Sequence, residues 1–225
     1  KRPFRVSSFD QTRLMKTLNH IPSLKTAILL FATITTTLLA ENKEAITHSF
    51  LGVGKANQVV IVGEDGKVQW RYGAPASDGW VLPSGNVLLA LYGTKDFPHG
   101  GVAEINRKTK KIVWSYKGQQ KETSTVQPLP DGKFLVAELG PEPRALIINR
   151  KGKVLKTTPL QCQKKNAHMQ TRMLRMLPNG NYIAPHLLDF AVKEYEPDTG
   201  KVVATFPTDD RGRAKRDWPF TAIRL

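Results

Sequence analysis

The sequence predicts an all-β chain built from repeated four-stranded antiparallel sheets, and three observations predict it. First, Leu82-Pro83-Ser84-Gly85-Asn86 returns as Leu129-Pro130-Asp131-Gly132-Lys133 and as Leu177-Pro178-Asn179-Gly180-Asn181. The leucines stand 47 and then 48 residues apart, and a further step of 48 reaches Leu225. Second, another motif recurs about half a period away. It reads Asp65-Gly66-Lys67-Val68-Gln69-Trp70, Lys110-Lys111-Ile112-Val113-Trp114, Gly152-Lys153-Val154-Leu155 and Gly200-Lys201-Val202-Val203. Third, strand-like runs separate the two motifs. Val87 to Leu91, Phe134 to Glu138 and Tyr182 to His186 follow the first. Val59 to Val62, Val102 to Ile105, Ala145 to Ile148 and Ala191 to Tyr195 precede the second. Four short strands with two Gly turns, repeated about every 40–50 residues, describe a β-propeller blade. An irregular sandwich is the competing reading; two motifs that keep phase over several copies favour blades. The Gly turns read as two-residue hairpin loops, because Gly tolerates the positive φ such loops need.

The elements follow in chain order. Residues 1–14 are basic and aperiodic. From Met15, two lysines precede an apolar run of 14 residues from Ala27 to Ala40, which Glu41 ends. A basic start, a short apolar stretch and a small final residue describe a secretory signal peptide. The run is too short and too rich in Thr for a spanning helix, which needs about 20 apolar residues. Residues 1–40 are therefore expected to be an upstream extension and signal peptide, leaving no integral membrane segment in the mature chain.

Residues 41–225 are expected to form the propeller, with repeats starting near residues 80, 127, 175 and 223. Phe50 to Gly54, Val59 to Val62 and Val68 to Tyr72 supply a first, partial sheet. Phe220 to Leu225 read as the start of a further blade. About three complete blades with partial ones do not close a ring, so the expectation is a fragment with further blades beyond Leu225 and a monomer at full length. Removing residues 1–40 takes away six of the 34 Lys and Arg and one of the 19 Asp and Glu, leaving a net charge of +10. The remaining chain is basic, but nucleic acid is not the expected partner of an exported protein.

In an up-and-down blade the first and third connections leave from one end, and here these are the Gly turns. The longer connections, Gly93 to Gly101, Gly118 to Ser124, Gly140 to Arg144, Thr158 to Arg172 and Thr208 to Pro219, share the other face. Function on a propeller usually sits on such loops and at the channel mouth. His168 and Arg172 lie in the longest loop ahead of an innermost strand. Asp78 and Trp218 hold comparable places, and His99 sits in a loop. An Arg fork suits sulfate, phosphate or carboxylate, and His moves protons near neutral pH. His168, Arg172, Trp218, His99 and Asp78 are the candidate ligand-binding residues. His168, Arg172 and His186 are the candidates for any catalysis. The usual alternative for His186 is a hydrogen bond within the sheet, and for Trp218 packing at a blade junction.

Other chemistry has little support. The five His are dispersed with no metal-site spacing, so no metal is expected. Cys162 is the only cysteine, which excludes an intrachain disulfide. Gly-x-Ser-x-Gly is absent. Basic residues cluster at Arg107-Lys108-Lys110-Lys111, Arg150-Lys151-Lys153, Lys164-Lys165 and Arg211-Arg213-Lys215-Arg216. Solubility and the blocking of strand edges are their usual roles.

Glu104 to Trp114 and Gly63 to Trp70 resemble the tryptophan-docking repeat of the bacterial quinoprotein-type, PQQ-like propellers. That repeat ends in Gly-Lys-x-x-Trp. The resemblance implies that Trp70 and Trp114 pack between adjacent blades. The next two copies place Lys156 and Ala204 there. The Leu-Pro-Asn-Gly-Asn hairpin is similar to that of exported arylsulfotransferase-type propellers. The resemblance spans about residues 58–225. It implies a periplasmic or secreted protein that binds an anionic ligand or a cell-envelope protein; the alternative is group transfer through a channel His. Quinone dehydrogenases of this type often carry an adjacent-cysteine disulfide, which one Cys cannot form. No Cys-x-x-Cys-His is present, and PQQ is not expected as a cofactor.

Overall fold

Apolar residues run almost unbroken through the second and third strands of each unit, and a strand buried on both faces has this pattern. The computed structural model describes residues 48–54, 56–208 and 218–225. The signal-peptide expectation for residues 1–40 and the basic run 211–216 lie outside the described residues. Four sheets follow one another along the chain. Blade 1 holds β1 (Phe50–Gly52), β2 (Val59–Val62) and β3 (Val68–Tyr72). Blade 2 holds β4 (Ala76–Val81), β5 (Val87–Leu91), β6 (Gly101–Ile105) and β7 (Ile112–Lys117). Blade 3 holds β8 (Glu122–Leu129), β9 (Lys133–Leu139), β10 (Arg144–Asn149) and β11 (Val154–Pro159). Blade 4 holds β12 (Arg175–Met176), β13 (Tyr182–His186), β14 (Ala191–Tyr195) and β15 (Val202–Pro207). Each is an antiparallel meander in sequence order, with three strands in blade 1 and four in the others. Among the described residues no helix is long and apolar enough to cross a membrane.

The core lies between blades. Successive residues of a strand face opposite sides of its sheet, so each central strand serves two cores. Val87, Leu89 and Leu91 pack with Val59, Ile61 and Trp70 of blade 1. Leu88 and Ala90 pack with Val126, Phe134 and Val136 of blade 3. Leu135 and Ala137 of blade 3 meet Leu174, Tyr182 and Ala184 at blade 4. All five residues of β5 are buried, and each large aliphatic side chain hidden this way contributes about 1.5–3 kcal/mol.

Two of the three Leu-Pro turns differ from the two-residue loops that Gly alone suggests, whereas in blade 3 Asp131 (φ 58°) and Gly132 (φ 66°) form such a loop, closed by Lys133 N–H donating to Pro130 O. Gly85 N–H donates to Leu82 O and Leu82 N–H donates to Asn86 O, both at 2.8 Å, so the loop holds three residues. The turn at Leu177 to Asn181 repeats these bonds at 2.9 and 2.8 Å. Pro83 and Pro178 hold the first central position of these two three-residue turns. A proline ring fixes φ near −65°, which fits the first central position of a type I turn and excludes the primed turns. Gly85 (φ 81°) and Gly180 (φ 87°) then take the left-handed position that returns the chain to the sheet.

The outermost strands are joined by a side chain reaching forward. Trp70 Nε1 donates to Arg107 O at 2.8 Å, from blade 1 to the third turn of blade 2. Trp114 Nε1 donates to Arg150 O at 2.7 Å, from blade 2 to the third turn of blade 3. At the same repeat position Lys156 of blade 3 pairs with Asp198 in the third turn of blade 4. An ion pair thus stands where the two earlier copies use an indole.

Candidate functional site

The inner strands β4 and β8 bulge at the same repeat position. Their registers shift between Ala76 and Asp78, and between Thr123 and Thr125. The bulges fall at Ser77 and Ser124, whose equivalent ahead of blade 4 is Arg172. Beside each bulge a short acceptor reaches the next blade's backbone. Asp78 Oδ2 accepts from Val126 N–H at 3.2 Å, and Thr125 Oγ1 accepts from Leu174 N–H at 3.2 Å. Two residues further on, Trp80 Nε1 donates to Val126 O at 2.6 Å and Gln127 Oε1 accepts from Met176 N–H at 2.8 Å. Arg175 occupies that same position in blade 4 and reaches past blade 3. Its Nη1 and Nη2 lie 2.7 and 2.9 Å from the two oxygens of Asp78, and its guanidinium carbon sits 5.3 Å from the Trp80 ring centre.

Asp78 therefore lies within β4 rather than ahead of it, and its carboxylate holds blades 2, 3 and 4 together. Its side chain is 4% exposed. Burial pushes its carboxyl above the usual range, against the pull of Arg175 and of the Val126 and Gly79 amides. The position offered by the sequence as a ligand contact is occupied by this internal pair.

The loop-bearing face carries a second cluster, drawn from three blades. Glu122 opens β8, while His168 and Arg172 come from the connection before blade 4. Glu122 Oε2 lies 2.9 Å from His168 Nδ1, and Glu122 Oε1 lies 2.9 Å from Arg172 Nη1. Arg172 also donates to the carbonyls of Thr171 and His168. The Tyr92 ring, at the end of β5, sits 5.8 Å from the His168 ring. Burial raises the Tyr92 phenol above its ordinary value, with Arg172 pulling it down and Glu122 pushing it up. His168 is 41% exposed at its side chain and Arg172 only 6%. The structure thus brings His168 and Arg172 together, as the sequence suggests. The Arg172 charge, however, is matched by Glu122, so the pair is not an open cationic pocket. The carboxylate fixes His168 through Nδ1–H and leaves Nε2 without a hydrogen bond among the described residues. A carboxylate-held imidazole beside an arginine is able to accept a proton or hold a polar ligand.

His186 is fully buried in β13. Its Nδ1–H donates to Gln170 O at 3.0 Å, and its Nε2 accepts from Tyr195 Oη–H at 2.7 Å. Burial holds its pKa down at about 4. Both ring nitrogens have internal partners, as in the sheet-bound reading of this residue. Its repeat equivalent Glu138 is likewise buried, accepting from Tyr116 Oη at 2.9 Å and from Arg144 Nη2 at 2.8 Å. His99 is exposed in the β5–β6 loop, and Trp218 is 41% exposed. Neither joins the cluster. Burial pushes the Cys162 thiol up to about 12, which makes it a poor nucleophile. No group of three or more His, Cys, Asp or Glu able to hold a metal occurs among the described residues.

Sequence reasoning missed Glu122, Tyr92 and Arg175. Arg175 carried a signal, since it shares a repeat position with Trp80 and Gln127. Tyr92 and Glu122 carried none, because their neighbours come from other blades.

No family model matches the chain, and no curated protein matches it. Solved structures do. The chain is similar to a protein of unknown function from Bacteroides caccae at 24% identity and a TM-score of 0.60, over 71% of this chain and 57% of that one. It is also similar to the WD40 β-propeller domain of Doa1 at 15% identity and a TM-score of 0.53, over 72% of this chain and 51% of that one. The fold is that of a β-propeller. The chain spans little more than half the length of either structure.

Proposed function

We propose that this protein is an exported propeller of the PQQ-like repeat type that works as a binding module through its loop-bearing face. The observation that carries this reading is the occupation of the ionisable groups near the inner strands. Asp78 is paired with Arg175, Arg172 with Glu122, and His186 with Tyr195 and Gln170. Groups held this way position loops for a partner rather than stand ready for chemistry. The forward-docking Trp70 and Trp114 support the PQQ-like assignment, and the apolar run ending at Ala40 supports export to the periplasm or beyond. A cell-envelope protein is the partner this reading favours. The test is photo-crosslinking in the producing cell, with the reactive residue placed at His99 or Glu142 on the loop face and at Lys110 on the turn face. Adducts from the two loop positions alone are expected; equal adducts from Lys110, or none anywhere, overturn the reading.

The His168–Glu122 contact favours a second reading, group transfer of the arylsulfotransferase type with His168 Nε2 as the reactive atom. Release of 4-nitrophenol from 4-nitrophenyl sulfate in the presence of phenol, abolished in His168→Ala, is its expected result. No release from the full chain removes it and leaves the binding module standing.

A further inference from the structure

The third turns of blades 2 and 3 share a repeat position but use their arginines differently. Arg107 O and Arg150 O each accept the docking indole of the preceding blade. The Arg150 side chain is engaged as well. Its Nη1 lies 2.6 Å from Glu104 Oε2, and its guanidinium carbon lies 5.3 Å from the Phe134 ring centre. The residue opposite the docking indole is Glu104 in blade 2 but Ile61 in blade 1. The repeat equivalent of Phe134 is Val87. Arg107 therefore meets neither a carboxylate nor a ring where Arg150 meets both. Its guanidinium has no hydrogen bond or ion pair among the described residues, although Arg107 is half-buried. With Lys108, Asn86, Asn106, Ser84 and Trp70 it lines a cavity of about 620 Å³. Glu104, which accepts from the lining Asn86 Nδ2 at 2.7 Å, is paired with Arg150, and that pair neutralises its charge beside a bound anion.

We propose that this cavity binds a sulfate or phosphate ester, with its oxyanion on Arg107 and Lys108 and the rest of the ligand along Trp70. An unpaired guanidinium presents a planar fork to such a group, and a neighbouring ammonium adds charge without fixing geometry. The cavity exceeds the size of a bare anion, which is why an ester is the expected ligand. The site lies on the turn-bearing face, so it stands or falls separately from the loop-face reading above.

The test is calorimetry on the full chain at low salt, with phenyl sulfate and phenyl phosphate as probes and anisole as the uncharged control. One-site binding of either ester, with none for anisole, is expected. Arg107→Gln should weaken it by about tenfold or more, the scale of one charge-assisted hydrogen bond. Lys108→Ala removes an exposed side chain, and should weaken binding several-fold in a folded protein. Lys151→Ala, the equivalent lysine in blade 3, should leave affinity unchanged. The ester bound more tightly identifies the oxyanion. No binding, equal affinity in Arg107→Gln and wild type, or an equal fall in Lys151→Ala from diffuse surface charge would each overturn the proposal.

Discussion

His186 shows what a repeat does with a polar residue in a fully buried strand. Its equivalents are Leu91 and Glu138, so one position holds an aliphatic, an acid and an imidazole. The neutral imidazole is tolerated because Gln170 O and Tyr195 Oη satisfy both nitrogens. Folding lowers its pKa from 6.5 to about 4. The stabilisation is therefore complete above pH 6.5 and is lost as pH falls through about 4. By linkage the loss approaches about 3 kcal/mol. Urea unfolding across that window should show a steeper fall in the wild type than in His186→Leu, which has nothing to titrate there. Parallel curves would mean that the ring is not held neutral.

At the scale of the strand, the three blade joints form a natural substitution series. Trp70 is 7% exposed and stacks on Tyr72 at 5.8 Å. Trp70→Ala should cost about 3–5 kcal/mol, as for other buried large aromatics. Trp114 is only partly buried, although it lies 4.6 Å from the Phe134 ring. Its loss should cost somewhat less than that of Trp70, about 2–3 kcal/mol, since part of the ring stays in solvent. Lys156 and Asp198 are 39% and 74% exposed at their side chains. Lys156→Ala should cost below about 1 kcal/mol, the usual worth of an exposed pair. Chemical denaturation of the three variants checks the order; a Lys156→Ala effect equal to that of Trp70→Ala would refute it. The strands and the phase of the repeat were legible because periodicity and turn residues are local signals. The length of the first turns was not legible, since Pro130 stands in the same motif as Pro83 and Pro178 yet precedes a two-residue loop.

At the scale of the whole molecule, the contact that ties most of the fold together was not legible. Asp78 and Arg175 are 97 residues apart, two repeats along the chain, and no local pattern pairs them. The same holds for Glu122, whose partners His168 and Arg172 are 46 and 50 residues away. His168 and Arg172 could be placed on a face from strand count, but their neutralising carboxylate could not. Breaking a buried pair leaves an uncompensated charge, so Asp78→Ala should cost about 3–5 kcal/mol. The double variant Asp78→Ala/Arg175→Met should recover much of that loss, and a cycle with no coupling would show that the pair contributes nothing. The outer joints have a different consequence. Trp70 and Trp114 grip main-chain carbonyls, not the side chains of Arg107 and Arg150. The receiving turn is held whatever residue it displays. Arg107→Ala should therefore shift stability by no more than about 0.5 kcal/mol, as at ordinary surface sites, and its thermal midpoint against that of Trp70→Ala checks the asymmetry. Such a latch makes the rim of each blade a blank panel, on which new chemistry can be written without loosening the assembly beneath it.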